Sequence, residues 1–133
     1  MKLQTATRLG IYAVLELAAD PERHLSAGEI AGRFGISVNH LAKVLRRLDR
    51  AGLVEAVRGA GGGYRFSGND RRVTLLDVVQ LFEDLRHPAR GPREPGASTP
   101  AGRALGRVLD EIGEITRATL GSITIATLLK PDR

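Results

Sequence analysis

The sequence of 133 residues contains no cysteine, and no apolar run in it reaches the length of a membrane span. The lack of cysteine excludes disulfide bonds, thiolate metal sites and a cysteine nucleophile. The start of the sequence has no signal-peptide pattern either, so we expect a cytoplasmic protein with no membrane partner. Its three histidines are too scattered to predict a metal site from their spacing: His24, His40 and His87.

Motifs for catalysis and for nucleotide cofactors are also missing. Residues 58–66 read RGAGGGYRF, but a dinucleotide fingerprint here would have Tyr64 in place of its third glycine. No Gly-Lys-Ser or Gly-Lys-Thr follows, which excludes a P-loop. No nucleophile lies beside a base, and Glu83, Asp84 and His87 are more typical of a solvated helix end. We therefore expect neither an enzyme nor a bound cofactor.

Positive charge is concentrated in one part of the chain. The formal net charge is +5, and the segment from Ser37 to Arg72 holds eight basic and three acidic residues. This segment therefore carries the whole excess, and the rest of the chain is balanced. A solvated basic face would explain the charge, but its concentration favours a polyanionic partner.

The first half of the sequence predicts a helix-turn-helix. Residues 3–19 suit a helix that is apolar on several sides, which indicates cover from several sides, including a partner. Ser26 and Glu29 form a capping box for a second helix, and Gly35 is a natural left-handed stop. Ser37 then caps a third helix, so two helices are joined by a short turn.

The third helix, residues 38–50, is the clearest element. Its apolar residues recur at helical spacing and form one stripe: Leu41, Val44, Leu45 and Leu48. The opposite face is polar and basic, formed by Asn39, Lys43, Arg46 and Arg50, with His40 and Arg47 at its sides. This pattern predicts a helix that packs on the core with one face and offers the other to DNA.

A basic hairpin follows. Residues 53–57 (LVEAV) favour a strand, and the glycine loop with YRF completes a two-stranded hairpin, so the arrangement is a winged helix-turn-helix. Glycines let the main chain approach phosphates closely, because no Cβ intervenes. Arg58 and Arg65 supply charge at the base of this wing. A flexible hairpin tip is the plainer interpretation, but the neighbouring helices favour a DNA wing.

The second half predicts a linker and a long helix. Thr74 and Asp77 cap a helix that we expect to reach Leu85, and residues 86–100 hold four of the six prolines. The stripe of the last helix consists of Leu105, Val108, Leu109, Ile112 and Ile115. It could fold back on its own domain, but pairing with a second copy fits better, since a two-fold dimer presents two reading helices to a palindrome. We thus expect a DNA-binding domain at 1–85, a linker at 86–100 and a dimerisation segment at 101–133.

The motifs together resemble one family. MKLQ with Tyr12-Ala13, EIAGRFGIS, NHLAKVLRRLDRAGLVEAVRGAGGGYRF, VTLLDVVQLFE and ITIATLL are similar to the Rrf2 family of bacterial transcription regulators, which includes IscR-like and NsrR-like repressors. The resemblance covers nearly the whole chain. It implies a mainly α fold with a β-hairpin wing and a long C-terminal dimerisation helix, and a homodimer that binds double-stranded DNA.

The resemblance also implies site residues. The base-reading positions of the family fall on Ser37, Asn39, Ala42 and Lys43, and the wing arginine that enters the minor groove falls on Arg58. From the residues and the resemblance together we expect this DNA-binding set: Ser37, Asn39, His40, Lys43, Arg46, Arg47, Arg50, Arg58, Gly61, Gly62, Tyr64 and Arg65.

The chain departs from the family in one loop. Sensing members carry three cysteines there, which hold an iron–sulfur cluster, whereas this loop is RHPARGPREPGASTP. His87 lies in the loop, but one imidazole cannot replace three thiolates. We expect no cysteine-ligated cluster, and a small-molecule effector could instead bind near Leu9, Tyr12, Leu85 and the long helix, although core packing explains these residues as well.

Two DNA-binding functions fit the sequence. The first is a sequence-specific regulator, a dimeric repressor of a palindromic operator. The second is a non-specific or architectural nucleic-acid-binding protein. Asn39 and Lys43 favour the first, because such side chains recognise adenine and guanine edges in the major groove.

Overall fold

A computed structural model describes residues 2–85 and 94–130 of the chain. Within this part the protein is mainly helical, with one two-stranded antiparallel sheet. The elements in chain order are α1 (Thr5–Ala18), α2 (Ala27–Phe34), α3 (Val38–Arg50), β1 (Val54–Val57), β2 (Gly63–Phe66), α4 (Leu75–Val79), α5 (Pro100–Gly121) and α6 (Ile125–Leu129). In the described residues no helix is both long enough and apolar enough to cross a membrane.

The helix-turn-helix forms as its local sequence dictates. The Ser26 hydroxyl accepts a hydrogen bond from the Glu29 N–H, and the Glu29 carboxylate accepts one from the Ser26 N–H, which completes the predicted capping box at α2. Gly35 ends α2 in the left-handed region, with φ 66°. Ser37 caps α3 by accepting from the His40 N–H. The capping box fixes the start of α2, and Gly35 and Ser37 fix the turn between α2 and α3.

The wing is a hairpin tied to the body of the domain. β1 and β2 pair in antiparallel register, with Val54 opposite Phe66 and Glu55 opposite Arg65. On the other side of β2, Tyr64 exchanges two backbone hydrogen bonds with Leu25, of 2.7 Å and 2.9 Å. A Cβ on Gly63 would lie 2.4 Å from the Leu25 carbonyl oxygen, so only glycine permits this close approach.

The core is centred on α1. It packs against α3, α4, α6 and β2, and its buried residues include Ala13, Val14 and Leu17. The chain's own elements therefore cover most of the apolar surface that we expected a partner to share. Tyr12 remains 47% exposed, with its ring 5.6 Å from that of Phe34.

Two elements differ from the sequence-based expectation. The capping box of Thr74 and Asp77 is present, but α4 ends at Val79, and tight turns continue to Phe82. The turns bring Phe82 against Gly10 of α1, where an added Cβ would lie 2.7 Å from the Phe82 ring. The turns after α4 thus pack on α1 instead of continuing the helix. Near the C-terminus, α6 is a separate short helix whose Ile125 is fully buried.

The long helix α5 begins at its predicted cap. The Thr99 hydroxyl accepts from the Gly102 N–H, and Pro100 occupies the first turn. At its other end α5 packs on the domain, where Leu120 is buried and the Arg117 guanidinium donates to the Leu85 carbonyl at 2.7 Å. Its apolar stripe faces away from the domain, since four of the five stripe residues are more than half exposed: Leu105, Val108, Ile112 and Ile115.

Candidate nucleic-acid interface

Helix α3 divides into a buried face and an exposed face. Leu41, Val44, Leu45 and Leu48 are buried, as their spacing predicted. The polar residues predicted to face DNA are all exposed: Ser37, Asn39, His40, Lys43, Arg46, Arg47 and Arg50. The structure thus brings these seven side chains together on the outer surface of α3.

The basic side chains of this surface are not equivalent. The side chains of Lys43, Arg46 and Arg50 make no hydrogen bond or ion pair with any residue in the described ranges. Arg47 instead donates to the Leu81 carbonyl at 2.8 Å, and its guanidinium carbon lies 5.8 Å from the centre of the Phe82 ring. Three cations are therefore available to an anionic partner, whereas Arg47 also links α3 to the turns after α4.

The conformation of the wing loop explains why this loop is rich in glycine. Gly59 and Gly61 adopt positive φ angles of 105° and 76°, which favour glycine. A Cβ on Gly62 would lie 2.2 Å from the Val57 carbonyl oxygen. The turn itself thus requires glycine at these positions, in addition to any approach to a phosphate. Gly61 and Arg58 are exposed, so the loop carries one accessible cation.

The other two predicted wing residues have internal partners. The Arg65 guanidinium donates to the Glu55 carboxylate at 2.7 Å across the hairpin, and both side chains are about half exposed. Tyr64 is half-buried and packs against the core, next to its backbone bridge with Leu25. Arg65 is therefore locally neutralised, and Tyr64 anchors the wing.

One exposed side chain of α3 was missed in the sequence. Val38, the first residue of α3, is 49% exposed and directly precedes Asn39. By helical spacing Val38 lies at the edge of the apolar stripe, three residues before Leu41 and seven before Leu45, so periodicity favours a buried residue. The exposure of Val38 therefore had no signal in the sequence pattern.

The residues named for an effector do not converge on one site. Leu9 is buried in the core, and Tyr12 contacts Phe34 at the surface. Leu85 lines an open cleft of about 760 Å³ together with Arg47 and Arg117, among others. His87 lies outside the described residues.

The donors in the chain do not fit a thiolate-held iron–sulfur cluster. The sequence has no cysteine, and the described residues contain no group of three His, Cys, Asp or Glu side chains that could hold a metal ion. Such clusters are held by cysteine thiolates, with histidine replacing at most some of them.

Comparisons with known proteins agree with this fold. A family model described as Rrf2, iron-dependent transcriptional regulator, matches residues 3–131. Over 134 residues the chain is 55% identical to BadM of Rhodopseudomonas palustris (strain ATCC BAA-98 / CGA009), whose name places it among HTH-type transcriptional regulators. That match covers 98% of this chain and 82% of BadM.

Two solved structures have the same fold. The IscR of T. potens is 28% identical with a TM-score of 0.77, over 97% of this chain and 86% of that one. CymR, the global cysteine regulator of B. subtilis, is 28% identical with a TM-score of 0.78, over 97% and 96%. The expected winged helix with a C-terminal helix is thereby confirmed. The chain belongs to the Rrf2 family of transcriptional regulators.

Proposed function

We propose that the protein is a sequence-specific DNA-binding repressor that acts in the cytoplasm as a homodimer on a palindromic operator. The observation that carries this proposal is the outer face of α3, where Lys43, Arg46 and Arg50 are exposed and without partners among the described residues. Asn39 lies on the same face. A helix with this surface suits the major groove, where lysine recognises guanine and asparagine recognises adenine.

The wing supports the same proposal from a second element. Arg58 is exposed at the start of the loop, so its guanidinium can enter a minor groove. Because the loop glycines have no side chains, their main-chain amides can approach phosphates closely. Of the twelve expected contact residues, Arg47, Tyr64 and Arg65 have internal partners, and the Ser37 hydroxyl accepts from the His40 N–H as the cap of α3. We propose that Arg47, Tyr64 and Arg65 mainly support the surface, and that the other nine, Ser37 included, contact DNA.

The long helix supports the dimer. Four large apolar side chains of α5 are more than half exposed on one face, which is unfavourable unless another surface covers them. A second copy of α5 would cover them symmetrically. In this proposal residues 1–85 form the DNA-binding domain, 86–100 a linker and 101–133 the dimerisation segment. The C-terminal turns of α5 pack on the first domain, which joins the two units.

Selection of bound fragments from random-sequence DNA tests the proposal. The purified protein should enrich a palindromic motif, and a duplex that carries the motif should bind with a specificity ratio of at least about 10³ over unrelated DNA. A non-specific or architectural protein would show the same salt-sensitive binding without an enriched motif. Recovery of unenriched fragments would therefore support the alternative and exclude a sequence-specific regulator.

Regulation in this member does not use a thiolate-ligated cluster, because the chain has no cysteine to hold one. Protein expressed without oxygen, with iron and sulfide supplied, should therefore be colourless and contain no stoichiometric iron or sulfide. Nitric oxide should leave operator affinity unchanged. One cluster per chain, or a loss of binding on exposure to nitric oxide, would contradict this. In place of a cluster, we propose that a small-molecule effector regulates DNA binding.

A further inference from the structure

We propose that Val38 reads the methyl group of a thymine in the major groove, and so contributes to operator specificity. This inference rests on the proposed DNA-binding function and adds a specificity-determining residue to it. The chemistry is apolar contact between the valine side chain and the thymine C5-methyl group, which only the major groove displays.

The DNA-binding domain leaves about half of the Val38 side chain uncovered. Among the described residues 2–85, the large apolar side chains that are exposed are Tyr12 and Val38. Tyr12 packs its ring against Phe34, whereas Val38 is 49% exposed on the helix that carries the candidate contacts. An isolated apolar side chain on a surface is ordinary, but here it lies within a surface that is otherwise polar and basic.

The position of Val38 suits contact with base edges. It is the first residue of α3, and side chains of a helix lean towards its N-terminus, so Val38 covers the leading end of the helix. In helix-turn-helix proteins the N-terminal residues of the reading helix contact the bases. Ala42, one turn later on the same side, is also apolar, which gives this edge of the reading face two apolar residues in register.

The neighbouring residue indicates which base pair is involved. Asn39 follows Val38 directly and points about 100° away around the helix, towards the centre of the exposed face. If Asn39 recognises an adenine, the thymine read by Val38 lies in that base pair or in the adjacent one. Such a methyl contact would distinguish a T·A pair from a C·G pair, because cytosine has no methyl group.

Deoxyuridine scanning tests this inference, since uracil differs from thymine only by the missing methyl group. Each thymine of the selected motif would be replaced singly, and affinities measured by fluorescence anisotropy at constant salt. At one thymine per half-site, the unmodified protein should lose about three- to fourfold in affinity, as expected for one buried methyl group. Val38→Ala should weaken binding to the thymine duplex by a similar factor and should no longer distinguish thymine from uracil.

The matched control is Leu128→Ala, which truncates a comparably exposed apolar residue on α6, away from α3. This variant should keep the preference for thymine. Alanine favours a helix more than valine does, so Val38→Ala should leave α3 and the thermal midpoint intact. If Val38→Ala keeps the full preference at every thymine, Val38 does not read a methyl group, although the regulator is still sequence-specific. Failure to enrich any motif would overturn the proposed function and this inference together.

Discussion

Replacing Ile112 with aspartate should convert the proposed dimer into monomers and weaken operator binding by about two to four orders of magnitude. Ile112 lies at the middle of the exposed apolar stripe of α5 and is 53% exposed in the single chain. A carboxylate there would be buried without a partner in a symmetric α5–α5 contact, which costs far more than the lost apolar contact. Each monomer would then bind only one half-site and lose the gain in effective concentration.

Sedimentation and DNA titration of the same preparations measure the two effects. Ala118→Asp is the matched control, because it introduces the same charge at an exposed position on another side of α5. We expect that variant to remain a dimer with nearly unchanged affinity. Because Ile112 is exposed, Ile112→Asp should preserve the fold of the chain, which circular dichroism can verify. An unchanged protein that sediments as a monomer at micromolar concentration would contradict the dimer.

The parts of the fold that follow from local rules could be predicted from the sequence. The start of α2 depends on Ser26 and Glu29, and the boundary between α2 and α3 depends on Gly35 and Ser37, all of which act within one turn of their own positions. The end of α4 could not be predicted in this way. The turns that follow α4 place Phe82 against Gly10, which lies 72 residues earlier in the chain, and no periodic pattern encodes such a contact.

The candidate site shows the same division. Helical periodicity predicted that the polar residues of α3 are exposed, and the structure confirms their exposure. Periodicity could not show that Arg47 donates to the Leu81 carbonyl. Leu81 lies in a turn after α4, at a position where the sequence predicted that the helix would continue. The pairing of Arg65 with Glu55 depends on hairpin register, which the loop geometry sets. The exposure of the polar face of α3 could therefore be predicted from the sequence, whereas the internal partners of its charged residues could not.

The distinction between basic side chains with and without internal partners leads to a second prediction. Lys43→Ala should weaken binding to the selected operator by about tenfold, and should relax the preference at one base pair, because a lysine contact to guanine is lost. Arg58→Ala should weaken binding by a similar or larger factor, mainly on operators with an A·T-rich minor groove beside the motif. Both side chains are exposed, and neither has a partner among the described residues, so their loss should not disturb the fold.

The matched control is the charge-neutral pair Glu55→Ala with Arg65→Ala. Exposed ion pairs contribute about 0–1 kcal/mol, so the hairpin should survive, and removal of a locally neutralised arginine should change operator affinity little.

Salt titration separates contacts to phosphates from contacts to bases. Where Arg58 contacts a phosphate as well as the groove, Arg58→Ala should lower the slope of log affinity against log salt by about one, since roughly 0.9 counterions are released per phosphate contact. If the paired variant loses as much affinity as Lys43→Ala and Arg58→Ala, then cations with internal partners bind DNA as well as free ones do, and the proposed division of the surface is wrong.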